Sequence, residues 1–214
     1  MARRREQRLA DLLVSAGFQI ERPGPKCDAL IASSSIRDSL DVMYRALGGT
    51  QEEYPRRVGR WDLAFGDVLV ELDEEQHFNR YRAQTLSSPI YHNCSAFVVV
   101  DYQTQCHHRE RECVAKCHGG YWTNPSCERQ FGPADPIRTF REFGSPRCKQ
   151  RAFYDLLKDA SVVARSSIGV RFSIWESIRG ISNPCMLVDI LENKVPATVD
   201  ILAYLRSRIE DQMN

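Results

Sequence analysis

The sequence predicts a mixed α/β domain in which helices pack on a small sheet, and two observations lead to this fold class. Short β-branched runs stand between segments whose apolar residues have helical spacing, so strands and helices alternate along the chain. The chain has 214 residues, of which 43% are hydrophobic and 27% charged. That length and composition suit one domain, or one domain that carries an insertion.

Each predicted element follows from a local pattern. Apolar residues three and four positions apart, such as Leu9, Leu12 and Leu13, predict the helices, and β-branched or alternating runs predict the strands. The dipeptide Gly66-Asp67 between two short β runs is typical of a two-residue hairpin turn. In chain order we expect a helix at 4–17, a loop at 22–35, a helix at 36–47, the hairpin at 61–73, a strand at 96–100, a helix at 147–160, a strand at 169–176, and helices near 184–192 and 197–212.

The composition changes in the middle of the chain. Residues 103–146 are polar and rich in Cys, His, Pro and Gly, unlike the segments on either side. We therefore expect a core at 1–180 that is interrupted by an insertion at 103–146, followed by C-terminal helices at 181–214.

Charge and cysteine content limit the partners and the compartment. The net charge is +1, from 29 basic and 28 acidic residues, so bulk charge neither requires nor excludes a nucleic acid. Arginine makes up 24 of the basic residues, which suits phosphate contacts but is equally expected from a GC-rich genome. Because there is no long apolar run and no apolar leader, we expect a soluble cytoplasmic protein without a membrane partner. Eight cysteines in a reducing compartment favour thiols or metal ligands over disulfides.

The hairpin carries the most informative chemistry. A two-residue turn at Gly66-Asp67 places Asp62 opposite Glu71, and Asp73 follows on the same face of the strand. Carboxylates that face each other across a hairpin repel, and a divalent cation such as Mg²⁺ or Mn²⁺ would offset that repulsion. A solvated acidic turn without an ion is the alternative interpretation.

Two further polar residues follow the acidic strand. Gln76 and His77 lie three and four positions after Asp73, and an imidazole there is suited to general acid or base catalysis.

The segment V-E-L-D-E-E-Q-H-F, at 70–78, resembles the V-E-x-D-G-x-Q-H-F signature of very-short-patch-repair-like nucleases, within the PD-(D/E)XK superfamily. Glu6 and the leucines after it resemble the family's E-x-x-L-x-x-x-L opening, Asp62 resembles its hairpin aspartate, and R-F-S-I-W-E at 171–176 resembles its late strand. The resemblance covers core segments between about residues 4 and 180.

The resemblance implies a restriction-endonuclease-like fold, with a mixed central sheet and flanking helices, and Mg²⁺-dependent hydrolysis of DNA phosphodiesters. Under it, Asp62 and Glu71 bind the metal, and Asp73 stands where many members have Lys. His77 transfers a proton, and Gln76 orients water or backbone. Since non-cleaving members also exist, a nucleic-acid-binding module with this fold is an alternative, as is a partner-binding protein.

Arginines stand on both sides of these residues in the sequence. Clustered arginines can hold the phosphates that flank a cleaved bond, so we expect DNA contacts there, although each arginine alone could be a solvated surface charge. The expected DNA-contacting residues are Arg56, Arg57, Arg60, Arg80 and Arg82.

The Cys/His-rich insertion predicts a structural Zn²⁺ site, because thiolates at such density can bind zinc where few apolar residues are available. Incidental thiols in a solvated loop are the alternative. The expected ligands are Cys106, Cys113, Cys117 and Cys127, with a histidine as a possible substitute. The remaining cysteines, Cys27, Cys94, Cys148 and Cys185, are expected to be small buried hydrophobic residues.

Overall fold

The computed structural model describes residues 2–21, 23–28, 33–93, 97–165, 167–179 and 184–213. Within these ranges the chain has a mixed α/β structure, which confirms the predicted α/β class. The strands are β1 (Lys26–Asp28), β2 (Arg57–Arg60), β3 (Leu63–Phe65), β4 (Val68–Asp73), β5 (Ile168–Ser173), β6 (Ser177–Ile178) and β7 (Cys185–Met186). The α-helices are α1 (Ala2–Ser15), α2 (Ser34–Ala46), α3 (Arg80–Thr85), α4 (Val99–His108), α5 (Glu110–Lys116), α6 (Pro125–Phe131), α7 (Pro146–Arg165), α8 (Leu187–Leu191) and α9 (Val199–Met213).

The chain divides into two compact units. The first, here called the sheet unit, comprises residues 1–25, 60–74 and 167–214. The second, here called the helical unit, comprises residues 26–59 and 75–166. The residues at 103–146 belong to the second unit together with α2, α3 and α7, and the expected division into a core and an insertion stays a prediction.

The sheet unit is built on the strand order β3-β4-β5. The hairpin has the predicted register, with Leu63 opposite Val70 and Phe65 opposite Val68, and Gly66 in the turn has φ 52°. β5 pairs parallel to β4, so that Glu71 lies beside Arg171. Every residue of β4 is buried, its acidic ones included. The apolar sides of α1 and α9 are buried as well, as the helical patterns predict.

The helical unit has an aromatic and aliphatic core along α7. Phe153 of α7 is fully buried, and its ring centroid lies 5.1 Å from that of Tyr44 on α2. Phe131 of α6 contacts the same tyrosine ring, with centroids 5.3 Å apart. The helix predicted at 147–160 is therefore confirmed as α7, and it anchors the short helices of this unit.

Two of the predicted elements are wrong. The β-branched run at 96–100 leads into α4 instead of forming a strand, and the strand β1 forms inside the expected loop at 22–35. Val98 and Val100 are 64% and 68% exposed, so this run does not have the buried side that a strand in the core requires. The insertion also contains helices: α5, α6 and most of α4 lie within it, and α5 and α6 bury Cys113 and Phe131. Residues 22 and 29–32 of the expected loop and residue 96 of the expected strand lie outside the described residues, as does Cys94, which was expected to be a small buried residue.

Candidate functional site

Asp62 lies where the pairing of the hairpin ends. The ladder begins at Leu63, one residue later than the predicted pair of Asp62 with Glu71. Oδ2 of Asp62 accepts a hydrogen bond of 2.9 Å from the backbone N–H of Leu72. Leu72 stands between Glu71 and Asp73 on β4, so the Asp62 carboxylate lies against the part of the strand that carries the other two acids.

Glu71 and Asp73 lie on one face of β4, next to a buried arginine on β5. The two carboxylate residues are 4% and 1% exposed, and Arg171 of β5 is 0% exposed. Nη1 of Arg171 lies 2.7 Å from Oδ1 of Asp73. Glu71, Asp73 and Arg171 are thus buried together, and the half-buried Asp62 reaches the same strand through its hydrogen bond with Leu72.

His77 is oriented by an aspartate that sequence reasoning missed. His77 ends a 3₁₀ helix at Glu75–His77, and its Nδ1 lies 2.9 Å from Oδ2 of Asp155 on α7. Asp155 is buried, and the His77 side chain is 18% exposed. Because an ionised carboxylate only accepts hydrogen bonds, this contact favours a proton on Nδ1 and leaves Nε2 as the basic nitrogen.

Gln76 is held by two contacts within the helical unit. Its Oε1 accepts from Arg151, which lies one turn before Asp155 on α7, and its Nε2 donates to the backbone carbonyl of Lys116 at 3.2 Å. Glu6, the remaining predicted site residue of this group, lies half-buried on α1 in the sheet unit.

The arginines that were predicted to contact DNA differ in how exposed they are to solvent. Arg56 and Arg60 are exposed, Arg56 in a 3.4 Å ion pair with Glu53 and Arg60 in a 3.1 Å hydrogen bond to the Gly24 carbonyl. Only the backbone of Arg57 is described.

Arg80 and Arg82 are neighbours in the sequence with opposite environments. The Arg80 side chain is half-exposed, forms two hydrogen bonds of 2.8 and 2.7 Å with Glu110, and stacks 4.0 Å from the Phe140 ring. Arg82 is 1% exposed, and its Nη2 lies 2.9 Å from Oδ2 of Asp159. The expected DNA contact at Arg82 is therefore corrected to a structural ion pair.

A different set of cysteines from the predicted one comes together. The sulfur atoms of Cys113, Cys117 and Cys148 all lie within 4.8 Å of one another. Trp122 is buried in the same cluster. Its Nε1 donates to the Asp135 carbonyl at 2.8 Å.

Two of the predicted zinc ligands, Cys106 and Cys127, lie outside the cluster. Cys148, which was not predicted to be a ligand, lies inside it. Sγ of Cys127 accepts from the backbone N–H of Asn124 at 3.0 Å and so caps α6, while Cys106 is buried on α4. Cys148, expected to be a small hydrophobic residue, comes from the first turn of α7.

The environment of Cys148 favours its thiolate. Hydrogen bonds from the thiols of Cys113 and Cys117 lower the pKa of Cys148 against the opposing effect of burial, with smaller contributions from Ser145 and Arg151. The pKa of the Cys113 thiol is raised, because its hydrogen bonds with the other two sulfurs and its burial favour the protonated form. Cys148 is therefore the first of the three to lose its proton.

The residues that sequence reasoning missed are those whose partners are distant in the chain. Asp155 and Arg151 lie four positions apart on α7 and therefore face the same side, which is the one signal that could have grouped them. Arg171 was already visible as the first residue of the R-F-S-I-W-E segment, but its partner Asp73 was not.

Comparison with known proteins finds a family for this chain. The model of a family described as a family of unknown function (DUF7255) matches residues 42–193, which is more than half of the chain. No curated protein and no solved structure matches. Among the described residues, no helix has both the length and the apolar character needed to cross a membrane.

Proposed function

This chain belongs to DUF7255, a family of unknown function, and we propose that it is a metal-dependent DNA endonuclease with a restriction-endonuclease-like fold. The observation that carries the proposal is the composition of the buried face of β4. Glu71 and Asp73 are buried two residues apart there, and the Asp62 carboxylate accepts from the backbone N–H of the residue between them, so three carboxylates lie along one short stretch of the strand.

The donor set fits Mg²⁺ or Mn²⁺, because carboxylate oxygens are the ligands that these hard cations prefer. Asp62 and Glu71 would hold the ion, and Asp73, which is already paired with Arg171, would complete the acidic face. An ionised carboxylate has several acceptor positions, so the hydrogen bond from Leu72 to Asp62 does not prevent a second interaction. When bound, the ion would polarise a phosphodiester and prepare a water molecule for attack.

The chain's own proton-transfer group in this proposal is His77. Asp155 holds Nδ1, so Nε2 would accept a proton from water or deliver one to the leaving oxygen. Gln76, which Arg151 and the Lys116 carbonyl keep in one orientation, would position water or substrate.

DNA is the proposed substrate because basic side chains stand on either side of these residues in the sequence. Arg56, Arg60 and Arg80 are exposed, and we propose that they contact phosphates together with Arg57.

The test is the nicking of supercoiled plasmid in Mg²⁺, with and without chelator. We expect activity in the wild type, its loss with chelator, and its loss in Glu71→Gln and in Asp62→Asn. Asp67→Asn is the matched control, because Asp67 is an exposed acid in the turn of the same hairpin and should leave activity unchanged. Activity that survives both site substitutions in folded protein, or wild-type protein that does not cut, would reject the proposal.

A non-catalytic DNA-binding module is the second candidate, and the ion pair between Arg171 and Asp73 favours it, since a permanent guanidinium already neutralises one of the acids. Calorimetry with Mn²⁺ distinguishes the two candidates. A nuclease should take up the ion in a way that Glu71→Gln abolishes, whereas a module that only binds DNA need not. The partner-binding alternative through the C-terminal helix receives less support, because Leu205 and Ile209 of α9 are buried within the sheet unit.

A further inference from the structure

We propose that Cys113, Cys117 and Cys148 bind one Zn²⁺ ion that ties α5 to the first turn of α7. This goes beyond the proposed nuclease function and does not depend on it, because all three residues belong to the helical unit.

The three sulfurs already have the arrangement of a ligand set. They lie within 4.8 Å of one another, and Sγ of Cys117 is 3.8 Å from Sγ of Cys148. The three cysteine residues are 0%, 0% and 2% exposed, so water is kept away from the cluster. Cys113 lies on α5, Cys117 directly follows that helix, and Cys148 lies on α7. Structural zinc sites join segments in this way where the segments have little apolar contact of their own.

The backbone around the cluster is fixed independently of any ion. Arg138 donates to the backbone carbonyl of Cys117 at 3.3 Å, and the Ser145 hydroxyl accepts from the backbone N–H of Cys148 at 3.1 Å. Trp122 belongs to the same buried cluster as the three cysteines. The side chains are therefore held in place before an ion arrives, which reduces the ordering that binding requires.

The chemistry of the donors selects the ion. Thiolates favour Zn²⁺ and Cu⁺ over Mg²⁺ and Ca²⁺. Three thiolates with Zn²⁺ carry one negative charge, which the nearby guanidinium of Arg151 offsets, whereas three thiolates with Cu⁺ would carry two. Zinc is therefore the better match in charge.

Binding requires that three S–H bonds break and three Zn–S bonds form, and the three protons pass to solvent. The fourth position would be taken by an oxygen donor. The backbone carbonyl of Gln76 is in place for this role, since its oxygen lies 3.6 Å from Sγ of Cys113.

The first test is the zinc content of purified protein by elemental analysis. We expect about one zinc per chain in the wild type, and at least a tenfold lower content in Cys148→Ser and Cys117→Ser. Cys106→Ser and Cys127→Ser are matched controls, because both residues are buried cysteines of the same unit outside the cluster, and these variants should keep their zinc. Circular dichroism identifies any variant that fails to fold.

A second measurement uses the wild type alone, in case the serine variants unfold. Zinc is removed with chelator and Co²⁺ is added, and we expect one equivalent to give the near-ultraviolet absorbance of cobalt–thiolate bonds, which Zn²⁺ then displaces. A zinc-free wild type that gives no cobalt–thiolate absorbance would overturn the proposal. Full zinc retention in folded Cys148→Ser, or zinc loss in folded Cys106→Ser, would overturn the ligand set.

Discussion

The guanidinium of Arg171 and the carboxylate of Asp73 form an ion pair of 2.7 Å in which both side chains are at most 1% exposed. They lie on neighbouring parallel strands, and Glu71, beside Arg171 in the register, adds a second buried acid. A buried charge that loses its partner costs far more than a surface charge, because it has left water without compensation. This pair therefore couples the stability of the sheet unit to the charge balance of the proposed metal site.

Replacing Arg171 by Met should destabilise the protein strongly. Since Asp73 would remain buried without the guanidinium that pairs with it, we expect the free energy of unfolding to fall by about 3–5 kcal/mol. The measurement is urea denaturation, with the double variant R171M/D73N expected to recover part of the loss.

Arg206→Ala is the matched control for Arg171→Met. Arg206 also pairs with an acid, Glu210, at 2.8 Å, but their side chains are 57% and 50% exposed. Its loss should change the free energy of unfolding by less than about 1 kcal/mol. Equal effects of the two substitutions would contradict the role given to the buried pair.

Glu192 should make the sheet unit sensitive to acid. Hydrogen bonds from Lys194 and Arg5 lower the pKa of the Glu192 carboxyl from 4.5 to about 2. Because the folded-state pKa is the lower one, the stabilisation by Glu192 is complete above about pH 4.5 and is lost as the pH falls toward 2. We expect Glu192→Gln to have a lower free energy of unfolding than the wild type at neutral pH, by less than about 1 kcal/mol, since the group is partly exposed. The difference should close near pH 2, and a difference that persists there would contradict the assignment.

The sequence predicts the parts of this structure that depend on local patterns. The register of the hairpin follows from Gly66-Asp67 and the alternation on either side, which involve no residue more than a few positions away. The helix α7 follows in the same way from its apolar spacing. The strand expected at 96–100 is wrong, because a run of valines carries no information on whether a sheet lies beside it.

The site residues that the sequence does not reveal depend on contacts between distant segments. Asp155 meets His77 across 78 positions of the chain, and Cys148 meets Cys117 across 31. The cysteines at 106 and 127 have spacings no less suitable than those of the cluster, so only the packing of α5 against the start of α7 decides which thiols meet.

Asp155 should control which nitrogen of His77 carries the proton. In Asp155→Asn the amide can donate to Nδ1, so we expect a shift from the Nδ1–H form to the Nε2–H form. Nitrogen–proton correlation spectra of the imidazole measure this directly, and a purely structural role for Asp155 would not change the tautomer. If the chain cuts DNA, the nicking rate should also fall by about 10²-fold or more.

Tyr154→Phe is the control for Asp155→Asn. Tyr154 is the preceding residue of α7, and its hydroxyl is 3.0 Å from Nε2 of Gln130, so its loss should leave the His77 tautomer unchanged. An unchanged tautomer in folded Asp155→Asn would remove Asp155 from the proposed mechanism.

Arg80 and Arg82 stand two residues apart in the sequence, but only Arg80 is exposed, so together they provide a test of DNA binding. Arg80 is half-exposed, so Arg80→Met should cost less than about 1 kcal/mol of stability. If it contacts a phosphate, its loss should also reduce the salt dependence of DNA affinity by about one phosphate contact.

Arg82 is paired with Asp159 and also donates to the Tyr91 hydroxyl at 2.7 Å. We therefore expect Arg82→Met to lower the free energy of unfolding by about 3–5 kcal/mol. Binding of a DNA duplex across a salt series, read by fluorescence anisotropy beside urea denaturation, separates the two effects. If the Arg82 variant kept its stability but lost DNA affinity, Arg82 would have to contact DNA, contrary to what its buried ion pair with Asp159 indicates.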